Sequence, residues 1–289
     1  MRVQQAAGTT DATILQDFAS YLLEIGEGRA PIVPGTQDKI LLRDTMLLPG
    51  YNLHTLISRT FGAFQPSTIT PEYLKGRAIM TPKNCDVATI NDLLLNLFPG
   101  EAQEFISSDT MDEPDDQIRY PSELLNSIES SGLPPHRLKL TPGCPIMLLR
   151  NLNTAQGLCN GTRLICSSVS RFVLEAEVVS GSHVGDTVLI PRVTLTAAKS
   201  QCPIEFKRTQ FPVRLAFAMT INKAQGQTFD QVGLYLPEPP FTHGLLYVAM
   251  SRARTPASIA ITIDRQNSTI PGQHGIYTRN VVYTDVLLQ

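Results

Sequence analysis

No run of eighteen apolar residues occurs in this chain, and its first stretch, polar from Gln4 to Thr10, lacks the apolar core of a secretory leader. The expectation is a soluble chain that is not secreted and makes no membrane contact. No Cys-x-x-Cys pair occurs among Cys85, Cys144, Cys159, Cys166 and Cys202, and an odd number leaves one thiol over in any disulfide scheme. Free thiols in a reducing compartment are expected. The five histidines form neither a helical His-x-x-x-His nor a Cys/His cluster, so no protein-bound metal is expected. Gly-x-x-x-x-Gly-Lys-Ser/Thr is also missing, and with it the usual backbone cradle for β- and γ-phosphates. Asp112-Glu113 follows polar Ser107-Ser-Asp-Thr110 rather than an apolar strand, and reads as a loop instead of a magnesium-holding carboxylate pair.

With 289 residues, 42% of them hydrophobic, the chain can bury one large core or two modest ones. Its formal net charge of −2 is unevenly spread. Glu101 to Tyr120 holds seven acids and one base and reads as a solvated loop around Pro114. His136 to Lys223 holds eleven Lys/Arg against four acids and reads as the face for a polyanion. A normal mixed surface is the plainer alternative.

Periodicity divides the chain. Asp11 to Ile25 places Ile14, Phe18, Leu22 and Ile25 on one helical stripe, with Thr10 or Asp11 as cap and Gly26 and Gly28 as stop. Gly35 to Gly76 has apolar pieces whose ends the pattern leaves open. Ala78 to Met80 reads as a strand, and Asp86 to Leu97 as a helix with Val87, Ile90, Leu93, Leu94 and Leu97 inward. From Leu138 to Phe206, short β-rich runs (146–149, 162–166, 172–179 and 187–190) alternate with Gly157, Gly161, Gly181 and Gly185, the spacing of a small antiparallel barrel. Phe211 onward returns to α/β order and ends in a strand at 258–263.

The most informative segment is Phe217-Ala-Met-Thr-Ile-Asn-Lys-Ala-Gln-Gly-Gln-Thr228, followed by Tyr247-Val-Ala-Met-Ser-Arg-Ala253. Leu215 to Met219 suits a buried strand, and such strands end in the loops where α/β sheets bind ligands. A helix beginning near Ile221 or Asn222 would aim free N–H groups at an anion, with Lys223 adding a full charge. Arg252 is expected at the mouth of the same sheet. Each piece in isolation also has a plain reading, Lys-x-Gln-Gly as a solvated turn and Arg252 as a surface arginine.

In order and spacing, these segments resemble the fifth and sixth motifs of superfamily-one DNA helicases, in the form carried by the PIF family and by Helitron transposon helicases. Leu140-Thr-Pro-Gly-Cys-Pro-Ile-Met-Leu-Leu-Arg-Asn-Leu152 and Gly157-Leu-Cys-Asn-Gly-Thr-Arg-Leu164 resemble that family's barrel insertion. Ala78-Ile-Met-Thr-Pro-Lys-Asn84 resembles the opening of its second motor domain, and Met1-Arg2 the end of its Asn-Met-Arg element. The resemblance covers about Met1 to about Tyr283.

The resemblance implies an α/β, RecA-like domain without its own phosphate loop, interrupted by a small antiparallel β-barrel. The implied division is 1–75 as a segment joining an upstream motor domain, 76–135 with 207–289 as the second RecA-like domain, and 136–206 as the barrel. It implies the C-terminal portion of a 5′–3′ ATP-dependent DNA helicase, nuclear, or cytoplasmic if prokaryotic. ATP and Mg2+ would act through the full-length protein, since the phosphate loop and Asp-Glu box belong to an upstream RecA-like domain in cis. Arg252 is implied as the arginine finger, with Arg254 as a competitor, and Arg2, Gln225, Gly226 and Arg252 as nucleotide contacts. Thr81, Asn84, Thr220, Asn222, Lys223 and Thr228 are implied as contacts to single-stranded DNA. Asn222 stands where many PIF relatives have histidine, and Ala224 where serine is frequent. Two alternatives stay open: a stand-alone, non-catalytic chain or transposon-helicase relic that binds single-stranded DNA or docks on a separate motor, and an unrelated α/β enzyme with a β-barrel appendage.

Overall fold

The computed structural model describes residues 10–64, 69–113, 115, 119–130, 132–197 and 204–283. The chain divides into two compact units, one comprising residues through Ala63, Gly76–Ala88 and Ala218 onward, the other Phe64–Lys75 and Thr89–Phe217.

The first unit is built on a parallel sheet. β1 (Lys39–Leu41) precedes β2 (Arg77–Thr81), and the later strands are β13 (Ala218–Thr220), β14 (Gln231–Leu236), β15 (Ile259–Ile263) and β16 (Tyr277–Arg279). The sheet order is β13-β2-β14-β15, all neighbours parallel. A parallel sheet is covered on both faces, so its strands are apolar throughout. Ala78, Ile79, Met80, Val232, Leu234 and all of β15 are accordingly buried.

The helix Leu53–Phe61 packs on this sheet through Leu56, Ile57 and Phe61. Asn52 starts it by accepting hydrogen bonds from the backbone N–H of His54 (2.8 Å) and Thr55 (3.2 Å), a side-chain N-cap. Gly233 on β14 permits the close approach: a Cβ there would lie 2.5 Å from Thr60 Oγ1 and 2.9 Å from Ile79 Cγ1. This helix lies in the region whose ends the sequence pattern left open.

The helix Thr10–Gly26 forms as expected, but its buried face is Phe18, Tyr21 and Ile25. Ile14 is exposed, and Arg43 lies over the Tyr21 ring at 4.1 Å. Gly26 lets Tyr247 approach, since a Cβ there would meet its ring at 2.9 Å. β1 and β16 pair antiparallel in a ribbon beyond the expected last strand, and Arg279 bonds Asp38 at 2.8 Å beside it. The helix Asn84–Leu97 buries Val87, Ile90, Leu94, Asn91 and Leu95; Leu97, expected inward, is exposed.

The second unit is antiparallel. Its strands are β3 (Gln103–Ile106), β4 (Ser108–Thr110), β5 (Arg137–Leu140), β6 (Pro145–Leu148), β7 (Arg163–Val169), β8 (Val173–Val178), β9 (Thr187–Pro191), β10 (Val193–Ala197), β11 (Phe206–Gln210) and β12 (Val213–Leu215). They form open sheets in the orders β12-β6-β7-β8-β9, β10-β11-β4 and β3-β5. The expected small antiparallel insertion is present; among the described residues no sheet closes on itself. The expected β-runs and turns are present: Gly157, Gly161, Gly181 and Gly185 all have positive φ. β8 alternates half-buried and buried residues along its length, as a one-sided strand should.

The apolar run Leu215 to Met219, expected as one strand, is shared between the units. Leu215 ends β12, which pairs with β6, whereas Ala218 opens β13, which pairs with β2. Phe217 between them is fully buried, its ring 5.4 Å from Phe98 and 6.3 Å from Phe64.

The charge pattern is also redistributed by the fold. Arg163 and Arg208, both counted toward the basic face, are buried. Arg163 donates to the carbonyls of Lys75 (3.0 Å), Ala216 (3.3 Å) and Leu74 (3.5 Å), and burial pushes its pKa down to about 10. Asp109, in the acidic stretch expected as a solvated loop, is the buried partner of Arg208 at 2.6 Å. Formal charge along a sequence therefore overstates the surface charge of both stretches.

Candidate nucleotide and nucleic-acid site

Thr81 and Thr220 lie at carboxyl ends of parallel strands in the first unit, whereas Arg252, expected at the mouth of the same sheet, is placed with Thr228 toward the amino end of β14: Phe229 bridges Ala253, and the next residue, Asp230, donates its N–H to the Gly76 carbonyl that precedes β2. Thr220 at the end of β13 is in register with Thr81 at the end of β2. Thr81 is fully buried and its hydroxyl donates to Asp86 Oδ2 at 3.3 Å. Burial pushes the Asp86 carboxyl above its ordinary range, and the Thr81 bond and the charge of Lys83 pull it back. Asn84, exposed, opens the following helix.

After Thr220 comes a single 3-10 turn, Ile221–Ala224, in place of the longer helix expected there. Two features stop it. Gln225 is extended, and Gly226 has φ +81, a left-handed conformation that glycine adopts without strain. Space around a Gly226 Cβ is open, so conformation rather than crowding calls for glycine. A four-residue turn has no useful macrodipole, and the expected helix-end contribution to anion binding is withdrawn. Ile221 and Ala224 anchor the turn in the core, leaving Asn222, Gln225 and Gly226 exposed and Lys223 half-buried.

Arg252 joins this loop to the second motif. It follows the helix Leu245–Met250, which buries Leu245, Leu246, Ala249 and Met250. Its Nε donates to the Val248 carbonyl at 2.9 Å, Nη1 to the Gln227 carbonyl at 3.1 Å and Nη2 to Ser251 Oγ at 2.8 Å. Gln227 Nε2 in turn donates to the Lys223 carbonyl at 3.1 Å. The chain of bonds Lys223–Gln227–Arg252–Val248 ties both motifs into one assembly. Half-buried Thr228 lies in the same loop, and Phe229 N–H donates to the Arg252 carbonyl at 3.0 Å.

Arg254 has a different environment, exposed and paired with Asp230 at 3.1 Å. Arg2 lies outside the described residues. Gln227 was missed by sequence reasoning: its carbonyl does the bonding to Arg252, and a backbone acceptor leaves no residue-type signal.

The fold and this site define a class: a parallel α/β motor-type domain carrying helicase motifs, with an antiparallel unit spliced into it. Residues 123–168 match the family model described as DNA helicase Pif1, 2B domain, and residues 215–259 match the UvrD-like helicase C-terminal domain. The chain thus carries Pif1 2B and UvrD-like C-terminal helicase domains, and Pif1 helicases are the proteins it resembles.

Among curated relatives, it is 31% identical over 173 residues to the ATP-dependent DNA helicase PIF1 of Homo sapiens, covering 59% of this chain and 24% of that protein. It is 32% identical over 128 residues to the ATP-dependent DNA helicase PIF6 of Trypanosoma brucei brucei, covering 43% of this chain and 16% of that protein. The chain spans about a quarter of the length of the PIF1 relatives it matches. Among solved structures, the Pif1 helicase of Candida albicans aligns with TM-score 0.55 and 23% identity, covering 85% of this chain and 53% of that one. Bacteroides Pif1 bound to ssDNA aligns with TM-score 0.50 and 20% identity, covering 88% and 49%. These structural likenesses establish the RecA-like α/β fold.

Proposed function

We propose that this chain is the C-terminal portion of an ATP-dependent 5′–3′ DNA helicase, supplying a grip on single-stranded DNA and the arginine finger of an ATP site shared with an upstream RecA-like domain. The domain division proposed is 76–135 with 207–289 as the second motor domain, 136–206 as the insertion and 1–75 as the joining segment. The observation that carries the reading is the bonded chain Lys223–Gln227–Arg252–Val248, which couples a DNA-facing loop to the candidate nucleotide arginine.

For the nucleotide, Arg252 fits in charge and in order. A guanidinium has five N–H donors, and three bonds to Val248, Gln227 and Ser251 set its plane. ATP with its Mg2+ would supply the phosphoanhydride that is cleaved. Arg252 would stabilise charge on the γ-phosphate oxygens, and Gln225 and Gly226, with Arg2, would contact the nucleotide beside it. Arg254 suits the finger less well because it is paired with Asp230. The cradle for the other phosphates is assigned to the upstream domain.

For DNA, Asn84, Thr220, Asn222, Lys223 and Thr228 would contact the backbone, with Thr81 behind them holding Asp86. Movement of the loop with the nucleotide would change that grip, because Gln227 bonds both Lys223 and Arg252. A nuclear location, or cytoplasmic in a prokaryote, is part of the proposal.

The test is a titration of the 289-residue chain with a labelled oligothymidylate. Binding that weakens with salt by a log–log slope of about −0.7 per phosphate, and that Lys223→Ala reduces, supports the grip. No binding at any salt rejects it. In the second reading, a stand-alone binder, the native polypeptide has a mass of 31.7 kDa; in the first it is far larger.

A further inference from the structure

On the antiparallel unit, β7 and β8 are joined by a tight hairpin whose tip is Arg171 and Phe172. Ser170 braces it: its N–H and its hydroxyl both donate to the Val173 carbonyl, at 3.0 and 2.9 Å, and its Oγ accepts from Val173 N–H at 3.2 Å. The tip is thus a rigid mount for its two side chains.

Phe172 at this tip is 66% exposed. An aromatic ring held uncovered at a hairpin tip presents a face on which a base can stack. The Arg171 guanidinium lies over the Phe172 ring at 5.2 Å. Arg192 donates its backbone N–H to the Phe172 carbonyl at 3.4 Å, but its guanidinium is engaged elsewhere: Nη1 donates to the Ile106 carbonyl at 2.8 Å, and the group lies over the Phe211 and Phe105 rings at 5.1 and 5.8 Å.

The unit's other cations include several with carboxylate partners: Arg137 with Glu104, Lys207 with Asp112 and Arg208 with Asp109. Arg171 and Arg192 are in no such pair among the described residues. Glu175 on the same hairpin accepts from Ser168 Oγ at 3.0 Å. An exposed ring with the Arg171 guanidinium beside it, outside any carboxylate pair among the described residues, fits a flat, anionic ligand. A one-sided ring can stack only on a base that is not already paired and stacked, which favours single strands over duplex.

We propose that Phe172 and Arg171 form a second contact for single-stranded DNA, the ring taking one unpaired base and the Arg171 guanidinium a flanking phosphate. The proposal rests on the reading that this protein engages single-stranded DNA, and it adds a contact on the antiparallel unit to the one at Lys223.

The experiment is a fluorescence-anisotropy titration of the 289-residue chain with labelled oligothymidylate, comparing wild type, Phe172→Ala, Phe172→Tyr, Arg171→Ala and Lys223→Ala. Circular dichroism melts confirm folding. Phe172→Ala is expected to weaken binding about 5- to 30-fold, as loss of a base–aromatic stack does, while Phe172→Tyr stays within about twofold. Arg171→Ala is expected to weaken binding and to lower the salt slope by about 0.7. Unchanged affinity in Phe172→Ala, with Lys223→Ala weakened, overturns the second contact, leaves the function reading standing and reassigns the patch to a protein partner. No binding by wild type overturns both.

Discussion

Arg252 Nη1 donates to the backbone carbonyl of Gln227 at 3.1 Å, and that bond joins two motifs that lie twenty-five residues apart in sequence. Because the acceptor is a main-chain oxygen, the loop's position, rather than the identity of residue 227, is what Arg252 reads. Arg252→Lys keeps the charge but cannot reproduce three directed bonds from a planar fork. It is expected to loosen the 225–228 loop, measured as faster amide exchange at Phe229, whose N–H donates to the Arg252 carbonyl.

The Arg208–Asp109 pair is fully buried, and every N–H of the guanidinium has an acceptor: Asp109, Leu125, Ile128 and Pro134. Removing one partner strands the other charge in the core. Asp109→Ala is expected to cost about 3–5 kcal/mol in urea unfolding. A paired replacement by apolar residues, Asp109→Leu with Arg208→Met, is expected to recover much of it.

His136 is tied to the same pair through Ser107. Ser107 Oγ donates to Asp109 Oδ1 at 2.7 Å, so at 2.8 Å it must accept from His136 Nδ1–H. Burial lowers the His136 pKa below its ordinary 6.5; Asp109 opposes this, and Arg208 and Arg137 add to it. The unfolded chain therefore takes up the proton first as pH falls. Stability from this site is complete above about pH 6.5 and declines as pH drops from there toward the folded-state value. His136→Asn, which keeps a donor near Nδ1 without titrating, is expected to flatten that part of the stability–pH curve.

Gly233→Ala is expected to lower Tm, because the new Cβ would meet Thr60 Oγ1 at 2.5 Å and Ile79 Cγ1 at 2.9 Å, between helix Leu53–Phe61 and the sheet. Overpacking of this kind costs about 1–3 kcal/mol. Thr60→Ala in the same chain is expected to restore part of the loss.

Much of this fold was legible locally. β2, β14 and β15 are buried on both faces and read as apolar runs, while β8 showed its one exposed face by alternation. Helix Leu53–Phe61 carries a local signal too: Asn52 is a cap, and Leu53, Leu56, Ile57, Thr60 and Phe61 keep helical spacing, although the loop-like residues around them obscure its ends. The β1–β16 ribbon had no local mark, since Lys39 and Arg279 meet only through the tertiary fold. Nor does residue type reveal that Arg163 and Arg208 are buried; their partners are backbone carbonyls and a distant Asp109. In the candidate site, motif spacing singles out Lys223 and Arg252 but gives no sign of the bond network through Gln227 that connects them.

The central claim is that Arg252 serves an ATP site completed by an upstream domain. The direct measurement is the DNA-stimulated ATPase of the full-length protein with Arg252→Ala, alongside its affinity for single-stranded DNA. A loss of at least about a hundredfold in turnover with DNA still bound is expected, since an arginine finger contributes about 10³–10⁵. Turnover within about twofold of wild type would contradict the account.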